Sequence, residues 1–151
     1  RNLDFSGLDL QDVTVRDKAF WFCDFSRMNL RSVHFENVRI RLCFFDFSSF
    51  KDCHVSGSDI RNSVFAGSRF TRCSFEQSDL HRVNFLGLEA LDTSFTGCDL
   101  YASLMSAALL ERVVFEDCNL KRVNFRKTRL LASTIHASNP EEAYMEELSE
   151  S

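Results

Sequence analysis

Six cysteines and four histidines carry the broadest chemistry in this 151-residue chain, so their spacing comes first. The cysteines form three pairs twenty residues apart: Cys23 with Cys43, Cys53 with Cys73, Cys98 with Cys118. A structural metal site gathers its ligands in short sets such as Cys-x-x-Cys, and none occurs. Disulfides within each pair are one reading. The preferred reading is buried, reduced packing thiols in a reducing compartment, because all six occupy a slot that Ser and Val fill elsewhere. His34 and His54 are also twenty apart, without a third ligand nearby, and are expected on the surface. No Ser-His-Asp set, catalytic carboxylate pair or glycine-rich phosphate loop stands out. The chain is therefore expected to be no enzyme and to bind neither metal nor cofactor.

The elements that position these residues follow from a second period. Every fifth residue from Phe5 to Ile135 is apolar, without insertion or deletion; we call this position the centre. Two residues earlier stand small or aliphatic side chains, such as Cys23, Ser48, Ser63 and Cys73. A period of five fits neither a helix of 3.6 nor a plain strand of 2.0. Residues two apart in extended chain share a face, so the centre and its small partner both point inward. Five is odd, so an unbroken strand would swap sides at each repeat, and one corner per pentad restores the sidedness. All five glycines lie two after a centre, where that corner is predicted. Four sides per coil follow from the twenty-residue period of the cysteine pairs and of the column Phe5, Phe25, Phe45, Phe65, Phe85, Met105 and Phe125. About seven coils, ~4.8 Å apart, give a rod of roughly 30–35 Å.

The repeat small–Asp/Asn–Leu/Phe–x–x appears as Cys-Asp-Phe-Ser-Arg at 23–27, Ser-Asp-Ile-Arg-Asn at 58–62 and Cys-Asn-Leu-Lys-Arg at 118–122. It resembles the pentapeptide-repeat family over residues 1–135. The resemblance implies an all-β fold, a right-handed quadrilateral β-helix solenoid. Residues 136–151 read as an acidic tail. Asn139-Pro140-Glu141-Glu142 has the form of a capping box and predicts a short helix over about 140–148, which would cover the last coil.

Charge narrows the partners. The tail holds five Glu and no Lys or Arg, which leaves 18 basic and 17 acidic residues in 1–135, a net of +1. A balanced body argues against direct nucleic-acid binding. No apolar run is long enough to span a membrane, and a cytoplasmic location is expected, or a host cytosol for a secreted effector.

The side preceding the Phe column is predicted to expose Trp21, Phe22, Arg41, Leu42, Phe44, Arg61 and Tyr101, the aromatic and Arg types that interface cores enrich. These are the candidate protein-binding residues. Leu104, Leu109 and Leu131, with Tyr144, Met145 and Leu148 of the tail, form a candidate cap or dimer interface; docking of the chain's own tail is favoured over a homodimer through the helix. The leading expectation is a non-enzymatic binding or scaffold module within a longer bacterial protein. The resemblance implies two alternatives: a DNA-mimic protector of gyrase of the fluoroquinolone-resistance type, or the non-catalytic β-helix of a bacterial effector.

Overall fold

The alternation of side chains along extended backbone, interrupted once per pentad, is what the structure displays. A computed structural model describes residues 1–145 and 149–150 and winds them into a four-sided β-helix. Neighbouring coils pair in parallel, residue n with n + 20: Leu10 with Leu30, Phe75 with Phe95, Phe20 with Ile40. We number the faces by their first centre. Face 1 carries Phe5 to Phe125, face 2 Leu10 to Leu130, face 3 Val15 to Ile135 and face 4 Phe20 to Leu120. Face 2 is a sheet of eight short strands and face 3 one of seven. Face 4 begins with one strand pair and continues, like face 1 throughout, as single bridges. The seven rungs of face 3, from Thr14–Arg16 to Thr134–His136, make about six full turns.

Each corner is turned by a left-handed residue. The five glycines have positive φ, and so do 23 other residues at the same slot between Asn2 and Ala137. A left-handed L-residue costs about 1–2 kcal/mol. Its N–H offsets part of that by donating to a carbonyl of the next coil, as Asp12 does to Arg31 (3.1 Å) and Arg82 to Tyr101 (2.9 Å).

The inner slot two before each centre serves the same corners. The Ser68 hydroxyl donates to the Phe45 carbonyl at 2.7 Å and accepts the Ser48 N–H at 3.4 Å. Ser63 does the same for Ile40 and Cys43. Small polar side chains thus satisfy backbone groups that would otherwise be buried unpaired. Between the four walls the centres fill the core. Phe5, Phe25, Phe45, Phe65 and Phe85 stack with centroids 4.6–5.4 Å apart, and Phe70 and Phe95 meet Phe85 edge-on.

The tail departs from expectation. Only Pro140–Glu142 is helical, as a single 3-10 turn, and residues 146–148 of the expected 140–148 helix lie outside the described residues. The capping box fails because Asn139 is already engaged with the coil below: its Oδ1 accepts the Leu120 N–H at 2.6 Å and its Nδ2 donates to Asn119 at 3.2 Å. Pro140 falls at a centre and lacks the N–H a ladder needs, so the chain turns there. The coil then resumes, with Tyr144 bridged to Asn124 and Ser149–Glu150 paired with Arg129–Leu130.

Candidate protein-binding surface

The corner between faces 4 and 1 is built from the two residues that follow each face-4 centre and the one that precedes each face-1 centre. On it Trp21, Phe22, Leu42 and Phe44 are exposed by 40, 45, 44 and 49%. Trp21 pairs with Arg41 across adjacent strands, and the Phe22 N–H donates to the Arg41 carbonyl at 3.3 Å. The four apolar side chains therefore lie on neighbouring coils and form one patch. Phe22 and Leu42 also occupy left-handed corners, where bulky residues are uncommon.

A fifth member was not anticipated. Phe47 is exposed by 62% and turns the opposite corner of face 1 on the same coil as Leu42 and Phe44. Its ring lies over Gly67, where an added Cβ would come within 2.7 Å of it. The sequence held a usable signal: 13 of the 16 Phe are centres, and the remaining three are Phe22, Phe44 and Phe47. Phe47 lies two after the centre Phe45, on the far side of the Phe column from Trp21 and Phe44.

The arginines of the patch are tied to one carboxylate. Arg41 donates from Nε to Asp59 Oδ2 at 2.8 Å and from Nη2 to the same oxygen, and Arg61 grips Asp59 at 2.9 and 3.0 Å. Burial pushes the Asp59 carboxyl up, but the Arg61 and Arg41 guanidiniums outweigh it and hold it below the usual carboxylate range. This pairing spends much of the positive charge that the sequence assigns to the corner. Tyr101 lies four coils beyond Trp21, ~19 Å along the rod, outside the aromatic patch. Its ring packs on His81 at 4.7 Å and its hydroxyl accepts from Arg122 at 3.4 Å, which lowers the phenol below its ordinary range.

Among the described residues, the cap or dimer candidates divide between faces 1 and 2. Leu104 and Tyr144 stand on face 1, with Asn124 bridged between them. Leu109 and Leu131 stand on face 2, each beside a glutamate: Glu89 is paired with Leu109, and Glu111 with Leu131. Met145 packs against the core as the next member of the Phe column, and Leu148 lies outside the described residues.

The thiols are placed as expected. All six are free and buried, and Cys73, Cys98 and Cys118 donate to carbonyls of the coil below at 3.2–3.3 Å, like the serines. Burial pushes Cys43 up to about 11. Cys73 and Cys98 are raised by the neighbouring thiol and by burial, and the hydrogen bond shared in each pair shifts Cys53 and Cys118 the other way. His34 and His54 meet edge-on at 4.9 Å on the surface.

One trio of metal-type donors converges among the described residues: Asp79, His81 and Asp99, within 4.8 Å of one another. Their hydrogen bonds give the trio a scaffold role. Asp79 accepts the His81 N–H, and Asp99 accepts from Tyr101 N–H and Asn119 Nδ2. Spacings of two and twenty in sequence hid this neighbourhood until the four-sided register was fixed.

A family model described as pentapeptide repeat region matches residues 68–145, and one for pentapeptide repeats in eight copies matches 48–87. A search of curated proteins returns no match. Among solved structures, QnrB1, a plasmid-mediated fluoroquinolone resistance protein, is 14% identical over 99% of this chain and 90% of its own, with a TM-score of 0.52. HetL, involved in heterocyst differentiation regulation in the cyanobacterium Nostoc sp. strain PCC 7120, is 10% identical over 96% and 88%, with a TM-score of 0.51. At these identities the likeness speaks for the fold alone. With a family match over more than half its length, a five-residue register unbroken over 1–135 and parallel coils offset by twenty, the chain is a member of the pentapeptide repeat family.

Proposed function

We propose that this β-helix is a non-enzymatic protein-binding module whose partner docks on the aromatic patch at the first three coils. The observation that carries the reading is the placement of the off-centre aromatics. Trp21, Phe22, Phe44 and Phe47, with Leu42, are exposed together at one end of a rod whose other Phe residues are centres. Exposed apolar clusters of this kind on an otherwise polar surface mark interaction sites, and Trp and Arg are the residues hot spots enrich. A DNA-mimic action on gyrase has less support, because Arg41, Arg61, Arg82, Lys121 and Arg122 interrupt any continuous acidic surface along this corner.

The test is affinity capture of partners by the wild type and by a Trp21→Ala/Leu42→Ala variant. Both changes are at exposed positions, so the melting temperature should stay within a few degrees while capture falls at least ~tenfold. Undiminished capture by the folded double variant refutes this surface. A supercoiling assay with purified gyrase and a fluoroquinolone separates the alternative, since protection there would place the function on the rod's charge pattern instead.

A further inference from the structure

Between Phe44 and Phe47 the surface of face 1 is not flat. A groove of about 240 Å³ opens there, lined by Asp24, Ser26, Arg27, Phe44, Asp46 and Phe47. The two phenylalanines wall it, Asp46 stands between them in sequence, and Asp24 and Ser26 come from the coil before. Asp46 Oδ1 is shut off from solvent and has no hydrogen-bond partner, the only such buried side-chain atom among the described residues. A half-buried carboxylate beside aromatic rings, with a second carboxylate near it and one oxygen unpartnered, is an incompletely compensated negative charge. Burial raises the Asp46 carboxyl, and Asp24 adds to it; the residue's own backbone amide and Arg27 oppose them without cancelling the rise. Arg27 forms no ion pair with it; its guanidinium lies over the far ring, 6.0 Å from the Phe47 centroid. That contact shows the Phe47 ring accepting a guanidinium on its face.

From this we infer that the groove is a binding site for one basic side chain of the partner, an arginine or a lysine, held between the Phe44 and Phe47 rings and neutralised by Asp46. The chemistry fits on three counts. Aromatic faces attract cations, and more strongly as the site dries. The Asp46 carboxylate, with Oδ1 unpartnered, supplies a charge-assisted hydrogen bond through Oδ2 or after a turn of the carboxylate. The local charge, Asp24 and Asp46 against Arg27, leaves one negative charge for the incoming cation. Gly67 belongs to the site because any larger residue there would displace the Phe47 ring. The inference rests on the protein-binding reading for its biological use, but the site can be tested alone.

The probe is the capped peptide acetyl-Gly-Arg-Gly-amide, titrated into ¹⁵N-labelled protein, with citrulline replacing arginine as its uncharged counterpart. The expected result is saturable shifts at residues 44–47 and 67 with the arginine peptide, weakened about tenfold by citrulline, by Asp46→Asn or by Phe47→Ala. Added salt should weaken them too. Equal binding of the citrulline peptide, unchanged binding by Asp46→Asn, or no shift up to the peptide's solubility limit overturns the site. Asp46 is half-buried and Asp46→Asn keeps its size, so an unchanged melting temperature confirms that any loss is local. The two proposals fail separately. If Trp21→Ala/Leu42→Ala captures partners normally while the arginine peptide still binds, the surface reading fails and the groove stands. If that variant loses its partners but Asp46→Asn keeps both partner and peptide affinity, the groove fails and the surface stands.

Discussion

A left-handed backbone at every corner makes glycine an option here, not a requirement, and that separates two glycines that look alike in sequence. Gly57 has a φ of +56°, within the +48° to +61° span of the non-glycine corners, and Gly67 at +66° lies just beyond it. A Cβ on Gly57 meets nothing within 4 Å, while one on Gly67 meets the Phe47 ring. Gly57→Ala should therefore cost about 1 kcal/mol, the ordinary left-handed penalty, with no local change. Gly67→Ala should cost the same or ~1 kcal/mol more and swing the Phe47 ring away, seen as altered ring resonances of Phe47. The thiols give a second prediction at this scale. They lie at 0–4% exposure, which shields even Cys53 and Cys118 with their lowered pKa, so at pH 8 the native protein should react with a thiol reagent at none of its six cysteines. All six should react once denaturant unfolds it. Reaction of even one in the folded state would show that a wall opens locally.

Among the elements, the corner of faces 4 and 1 depends on a charge that pH can remove. Asp59 has a lowered pKa in the folded chain because Arg61 and Arg41 surround it. Its stabilising contribution is therefore present above the unfolded carboxylate value, ~3.9, and is lost as the pH falls through the lower folded value. Asp59→Asn should lose about 2 kcal/mol at pH 7 and show a shallower loss on acidification below pH ~4 than the wild type, read from thermal melts across that range. Local rules made the elements legible in the sequence. The five-residue period, the glycines and the cysteine pairs were enough for the corners, the four sides and the inner slots. The tail was misread by the same kind of rule: Asn139-Pro140-Glu141-Glu142 has the form of a helix start, but Asn139 bonds back to Asn119 and Leu120, which only the stacked coil reveals. The groove was invisible for a related reason. Phe44, Asp46 and Gly67 are ordinary residues until register places Phe47 over Gly67 and opens a cleft beside Asp46.

For these 151 residues on their own, the coils share one core and stability should be graded along the length. In a solenoid each coil is held by its neighbours, so an inner coil has two stabilising interfaces and an end coil one. The exposures follow this rule. Leu3, Leu8 and Val13, inner-slot residues of the first coil, are exposed by 52, 48 and 39%, whereas Val83 and Leu88 at the same slot in mid-rod are fully buried. The same side chain should accordingly matter very differently by position. Phe85 is fully buried, stacked on Phe65 and edge-on to Phe70 and Phe95, so Phe85→Ala should cost about 3–5 kcal/mol and lower the midpoint of the entire urea transition. Phe5 is only partly buried, with Phe25 stacked on one side of it, and Phe5→Ala should cost less than ~2 kcal/mol. Its effect should also be local. Hydrogen exchange would speed up over the first two coils in Phe5→Ala and over all coils in Phe85→Ala. Uniform acceleration in both variants would mean that the rod unfolds only as a unit. In that case the aromatic patch on its first three coils is held as rigidly as the middle, and a partner meets a preformed surface instead of one that settles on binding.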